Sequence, residues 1–383
     1  MSHRRTLWTL YAINILNSTG LWFFLPLLPI FLGRKGGSAA LVGVVFAGGL
    51  LANALVRYPA GWAADRYGTK PVLVVAMSAN TLLFLAYLLP LPLGAFIAVR
   101  FLQGLASGAY WPAANGLIAE VTTRSERGRA FGYMQATNLA GMIVGPGIGG
   151  LVALLDFSVV FTAAAAASLV AVLFLAGLRN VRAHDTVTVP TNVLQVTRAL
   201  LPLLLLGVGT SYMIGTYDTI WALYLTSRGA STFAVGLSFM AFALPAMFAS
   251  GLAGSLGDRF GPKRVVVSAL IATGLFAALY PFIRSVPLLI AMGLPEGAST
   301  IAGMPILVAE VSRASGPNEQ GRTQGVFQTF QTAGQIAGAL VAGSLFTVNH
   351  AAAFLAVTVA CLFSVATAFV RLPAARAVSQ PMS

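Results

Sequence analysis

The chain has 383 residues, of which 57% are hydrophobic and only 9% charged, and its mean hydropathy is +0.84. A folded soluble protein carries about a quarter of its residues as charges, so this composition excludes soluble enzymes and solvent-exposed binding modules. The 23 basic residues against 10 acidic ones give a net charge of +13, but the bases are scattered between apolar blocks rather than gathered into a patch, which argues against a nucleic-acid partner.

At about 20 residues per membrane-spanning helix, the length holds about twelve spans and no sizeable extramembrane domain. Arg4 and Arg5 precede an apolar run that is longer than a signal-peptide core and lacks a small-residue cleavage site, so it reads as the first span. Apolar blocks punctuated by Gly, Pro and charges predict helices over 8–32, 41–60, 72–89, 93–118, 130–154 and 159–178. A second six follow over 200–226, 233–256, 265–282, 287–308, 324–346 and 351–370. The polar stretch 181–198 is a linker too short to fold alone, and it separates two halves, 1–180 and 199–383. With an even number of spans, seventeen of the 23 basic residues fall on the side of the two termini. The positive-inside rule therefore puts both termini in the cytoplasm. Cys361 stands alone inside an apolar run, which excludes a disulfide framework and a cysteine metal site.

The chain repeats itself. Gly61-x-x-x-Asp65-Arg66-x-Gly68-x-Lys70 recurs 193 residues later as Gly254-x-x-x-Asp258-Arg259-x-Gly261-x-Lys263, and the same offset carries Gly104 to Gly297, Pro112 to Pro305, and Glu126 to Glu319. Because the offset skips six spans, the halves have parallel topology about an axis along the membrane normal, and such halves enclose a central site.

These residues resemble the major facilitator superfamily, and the resemblance covers nearly the whole chain. The duplicated loop motif is that superfamily's most specific signature. Arg100-x-x-Gln103-Gly104 resembles the helix-four motif of proton-coupled members, and Gly141-x-x-x-Gly145-Pro146-x-x-Gly149-Gly150 resembles the helix-five motif of drug/proton antiporters. The resemblance implies an all-α integral membrane protein with twelve transmembrane helices in two pseudo-symmetric six-helix bundles, working as a monomer in a bacterial cytoplasmic membrane without cofactor or metal. It further implies a secondary active transporter, a proton-coupled antiporter that exports lipophilic or cationic small molecules by alternating access.

Physical roles follow for the motif residues. Asp65 at the end of the second span is placed to accept hydrogen bonds from a neighbouring helix and to pair with Arg127 or Arg129, while Gly61 and Gly68 allow close approach and a tight turn. With Arg66 and Lys70 this forms a cytoplasmic latch, repeated by Asp258, Arg259 and Arg322. Gly141, Gly145 and Gly149 make one smooth helix face, and Pro146 frees a backbone carbonyl. Asp218 and Glu296 are the acids set deepest in spans, each about 13 Å from the outer boundary at 1.5 Å per residue, and ionisable groups at that depth are functional by default. With Arg100 they form the expected proton-coupling set, their mutual repulsion favouring a bound proton.

Substrate contacts are expected from Trp22, Phe23, Tyr110, Trp111, Tyr217 and Trp221, whose rings suit a flat or cationic amphiphile. The Gln328, Gln331 and Gln335 stripe lines one helical face, and Asn17, Gln103, Gln135 and Asn138 add neutral hydrogen-bonding groups. Those amides also suit a proton-linked sugar, amino-acid or metabolite transporter, which is the alternative function. A membrane enzyme has no visible catalytic set, since His3, His184 and His350 all fall outside the predicted spans.

Overall fold

The computed structural model describes residues 3–123, 125–178, 193–245, 255–315 and 320–370. Among them every regular element is a helix: α1 (His3–Phe24), α2 (Leu28–Arg34), α3 (Ala39–Tyr67), α4 (Thr69–Ala86), α5 (Ala95–Val121), α6 (Arg127–Val152) and α7 (Phe157–Ala176). The second half supplies α8 (Val193–Ser227), α9 (Thr232–Ala243), α10 (Pro262–Leu279), α11 (Val286–Arg313), α12 (Gln320–Val348) and α13 (His350–Val370). Counting α1 and α2 as one span, eight helices among the described residues are long and apolar enough to cross a membrane. Helices α5, α6 and α12 are 26 to 29 residues long but more polar, because they carry the amides and charges that face the interior.

Three departures from the predicted spans have local causes. The first span is broken by a 3-10 turn at Leu25–Leu27, where Pro26 and Pro29 withhold the N–H groups an α-helix needs. Helix α8 starts at Val193 rather than near residue 200, adding two turns with the polar Gln195, Thr197 and Arg198, which apolarity alone passes over. The predicted eighth span is helical over Thr232–Ala243 and from residue 255 onward, with 246–254 outside the described residues. Most of the predicted linker, 179–192, lies outside them as well.

The repeat in sequence is a repeat in local structure. Ser38 and Ser231, 193 residues apart, each cap a helix by accepting a backbone N–H at 3.2 Å, from Leu41 and Ala234. Gly68 and Gly261 each close the repeated loop with φ of 96° and 86°, a conformation that excludes side chains. Packing repeats too: α1 lies on α6 and α7 as α8 lies on α12 and α13, and α4 lies on α5 and α7 as α10 lies on α11 and α13.

The halves meet along two seams, α3 on α12 and α6 on α9. In the first, a methyl at Gly43 would collide with the Ala339 carbonyl, and one at Gly343 would lie 3.1 Å from Gly43 Cα. The second is its symmetry mate: Gly236 faces the Pro146 carbonyl, and Gly150 faces Thr232 and Gly236. Thr232 Oγ1 also donates to the Gly150 carbonyl at 2.9 Å. Both seams lie at the ends of the helices remote from the chain termini, so the bundle is closed there and open toward the termini.

Candidate substrate and proton site

The deepest feature is a cage of about 110 Å³ lined by Trp22 and Met142 from the first half and by Tyr217, Asp218, Trp221, Phe242 and Glu296 among residues of the second. The structure thus brings the two sequence-singled acids into one cavity. Glu296 is 1% exposed, and its carboxylate oxygens accept from two phenols, Tyr217 Oη at 2.8 Å and Tyr280 Oη. Asp218 is half-buried, and its electrostatic partner is Arg100 of the first half rather than Glu296. Each acid also has a counterpart of its own: two phenols for Glu296, and for Asp218 the Arg100 guanidinium across the half boundary. The walls are ordered by Tyr217 stacking on Trp221 with centroids 5.6 Å apart, and by Trp221 Nε1 donating to Ser238 Oγ at 2.9 Å. Rings and thioethers with one buried carboxylate suit an organic cation.

Tyr280 was not anticipated from the sequence, although the offset of 193 points to it. That offset carries Tyr87 to Tyr280, Gln103 to Glu296, Phe24 to Tyr217, Phe31 to Tyr224 and Phe161 to Phe354. The ring geometry is copied as well: Phe24–Phe161 and Tyr217–Phe354 both have centroids 6.1 Å apart, and Phe31–Phe161 and Tyr224–Phe354 both 4.8 Å. In the first copy Tyr87 Oη donates to the Gln103 amide oxygen at 3.4 Å, the neutral counterpart of Tyr280 on Glu296. Phenylalanine has become tyrosine and glutamine has become glutamate, so the second half alone holds an acid with two donors. Arg100 maps to Gly293. The first half fills that position with a guanidinium packed against Gly49 and donating to Gln103 at 3.1 Å, whereas Gly293 leaves space that becomes cage.

Toward the termini a polar vestibule of about 610 Å³ is lined by Arg57, Trp111, Asn115, Gln135, Asn138, Gln328, Gln331 and Gln335 among others. Six of the expected contact residues, Trp111, Gln135, Asn138, Gln328, Gln331 and Gln335, line it, and Trp22, Tyr217 and Trp221 line the cage. Four expected residues line neither. Tyr110 is fully buried with its hydroxyl on Asn14 at 3.1 Å, Phe23 packs under Gly145 and Gly149, Gln103 is held by Tyr87 and Arg100, and Asn17 is half-buried on α1. Asn14 is a polar residue the sequence reading missed. It donates to the Met134 carbonyl and Thr137 Oγ1 and ties α1 to α6.

The loop motif is placed differently from expectation. Asp65 is exposed and meets neither Arg127, which donates to the Ala119 carbonyl at 2.8 Å, nor Arg129. The vestibule is open here, so the groups that would close it stand apart. Arg66 lies over the rings of Trp62 and Tyr67. Lys70 donates to the Ala176 and Leu178 carbonyls at 2.9 and 2.7 Å, capping the end of α7. Gly61 approaches Pro112 of α5. In the second copy Asp258 is exposed, Arg259 lies over Phe260, and the Arg322 side chain is outside the described residues. Nearby, the Thr123 hydroxyl and backbone N–H bond Glu126 and hold its carboxyl below the ordinary range. The glycines of the helix-five motif divide their work. Gly141, Gly145 and Gly149 pack on α1 within the first half, and Pro146 and Gly150 make the seam with α9.

Comparison with known proteins agrees with this architecture. The family model of the Major Facilitator Superfamily matches residues 10–214 and again 203–382. Curated relatives include Multidrug resistance protein 2 of Bacillus subtilis, 24% identical with 91% of each chain covered. They also include the class G tetracycline resistance protein of Vibrio anguillarum, 29% identical over 88% of this chain and 89% of that one. The quinolone resistance protein NorA of Staphylococcus aureus is 24% identical over 90% of this chain and 91% of its own. Among solved structures the nucleoside transporter NupG superposes with a TM-score of 0.81 at 15% identity, covering 95% of this chain and 98% of that one, a likeness of fold. The chain belongs to the major facilitator superfamily and is a multi-pass membrane transporter of small molecules rather than an enzyme.

Proposed function

We propose that this transporter is a proton-coupled antiporter that exports lipophilic or cationic small molecules by alternating access between the halves 1–180 and 199–383. The observation that carries the reading is Glu296, a carboxyl enclosed in an aromatic and thioether cage, held by two tyrosine hydroxyls and 1% exposed. A cation in that cage and a proton on that carboxyl neutralise the same charge, so each disfavours the other, and this competition is what exchange requires. Asp218 and Arg100 lie on opposite halves within electrostatic reach. Their attraction changes as the halves move, which links protonation to conformation. With both termini cytoplasmic, the open vestibule is the face that receives a cytoplasmic substrate. The glycine and proline seam between α6 and α9 closes the outer side. The relatives named for resistance to tetracycline, quinolones and multiple drugs support the outward direction.

The test is direct. Cells expressing the protein should accumulate less of a lipophilic cationic dye than cells expressing Glu296→Gln, and a protonophore should erase the difference. Equal accumulation in both strains, or gradient-dependent uptake of a sugar or amino acid, overturns the reading in favour of the polar-metabolite alternative.

A further inference from the structure

Arg57 is the single formal charge on the wall of the polar vestibule. An arginine in a membrane-spanning helix either reaches the interface or serves the interior. Here it turns inward. Asn53 Oδ1 accepts from Nε at 3.2 Å and from Nη2 at 2.8 Å, and Gln328 Oε1, on the other half of the molecule, accepts from Nη1 at 3.0 Å. These partners are neutral, and among the described residues no carboxylate lies within ion-pair distance of it. A guanidinium has five N–H donors in a planar fork, so two remain uncommitted, one on each terminal nitrogen. The surrounding wall offers amides and no acid, which leaves a positive, donor-bearing cavity.

The vestibule and the acidic cage adjoin the same helix. Asn138 of α6 lines the vestibule and Met142 lines the cage, and one helical turn, about 6 Å, separates them.

We infer that Arg57 is the anion-recognising element of a second subsite on the vestibule wall, and that it takes the carboxylate or equivalent oxyanion of an aromatic compound on its guanidinium fork. The inference rests on the proposed substrate site, but it has a readout of its own that does not involve dye export. Two isosteric probes differing only in charge, 2-naphthoate and 2-naphthamide, are titrated calorimetrically into the purified full-length protein. Wild type should bind the naphthoate roughly tenfold more tightly, as a charge-assisted bidentate contact requires. Arg57→Gln should abolish that preference, and Arg57→Lys, which keeps the charge without the fork, should retain only part of it. Equal affinity of the two probes for wild type, no measurable naphthoate binding, or a preference that persists in Arg57→Gln overturns the subsite. The wild-type comparison decides even if Arg57→Gln fails to fold. Absence of the naphthoate preference in wild type with dye export intact rejects the Arg57 subsite alone, whereas absence of Glu296-dependent export with the wild-type preference present rejects the antiporter reading alone.

Discussion

At the scale of single residues, the internal symmetry supplies its own controls. Gln103 occupies in the first half the position that Glu296 occupies in the second, under an equivalent tyrosine and among equivalent rings. Glu296→Gln therefore recreates a packing the fold already uses. It should leave the melting temperature of the detergent-solubilised protein within a few degrees of wild type while removing the group proposed to carry protons. Tyr280→Phe is the opposite case. It strips a donor from a buried carboxyl, a change that costs about 1–3 kcal/mol, so it should lower the melting temperature more than Glu296→Gln does. If Glu296→Gln proves the more destabilising, the carboxyl is a structural element. Asp218 and Glu296 were legible in the sequence as acids inside apolar runs. Tyr280 was not, because a tyrosine near a span end looks like an interface residue until its hydroxyl is seen on the carboxyl.

At the scale of helices, the seams decide which side of the bundle is shut. Gly43 and Gly343 on one seam, and Gly236 and Gly150 on the other, let backbones touch where any side chain would collide. Gly43→Val should hold this seam open. With Cys361 replaced by Ser and a reporter introduced as Ala342→Cys, which is buried beside the seam, labelling by a membrane-impermeant maleimide from the side remote from the termini should rise several-fold, and transport should fall. Unchanged labelling in a variant that retains its melting temperature would show that the seam is not the closure. The helix-five motif announces such packing in its spacing. That its glycine face lies on α1 while Pro146 and Gly150 serve the seam was hidden, because one helix offers two neighbours two faces and sequence does not say which is which.

At the scale of the whole molecule, the structure is one end-state of a proposed cycle, open toward the termini and closed opposite. Asp65 stands exposed here, apart from Arg127 and Arg129, so Asp65→Asn removes nothing from this state and weakens only the state in which the proposed latch closes. The variant should spend more time open: a reporter cysteine at Thr332, on the vestibule wall, should label faster from the side of the termini, and turnover should drop. Unchanged labelling together with unchanged turnover would reject the latch.

Sequence alone determined the class of molecule, the described helical spans to within about two turns, the parallel duplication and the loop glycines, because these depend on local quantities: apolar run length, backbone freedom and a fixed offset. Tertiary structure alone decided that Tyr217 and Tyr280 converge on Glu296, that Asp218 answers to Arg100, and that Arg57 turns inward to bridge α3 and α12. Those relations join residues tens to hundreds of positions apart. They are set by the rotation of each helix about its axis, and that rotation is fixed when neighbouring surfaces pack, not by the order of residues along any one helix.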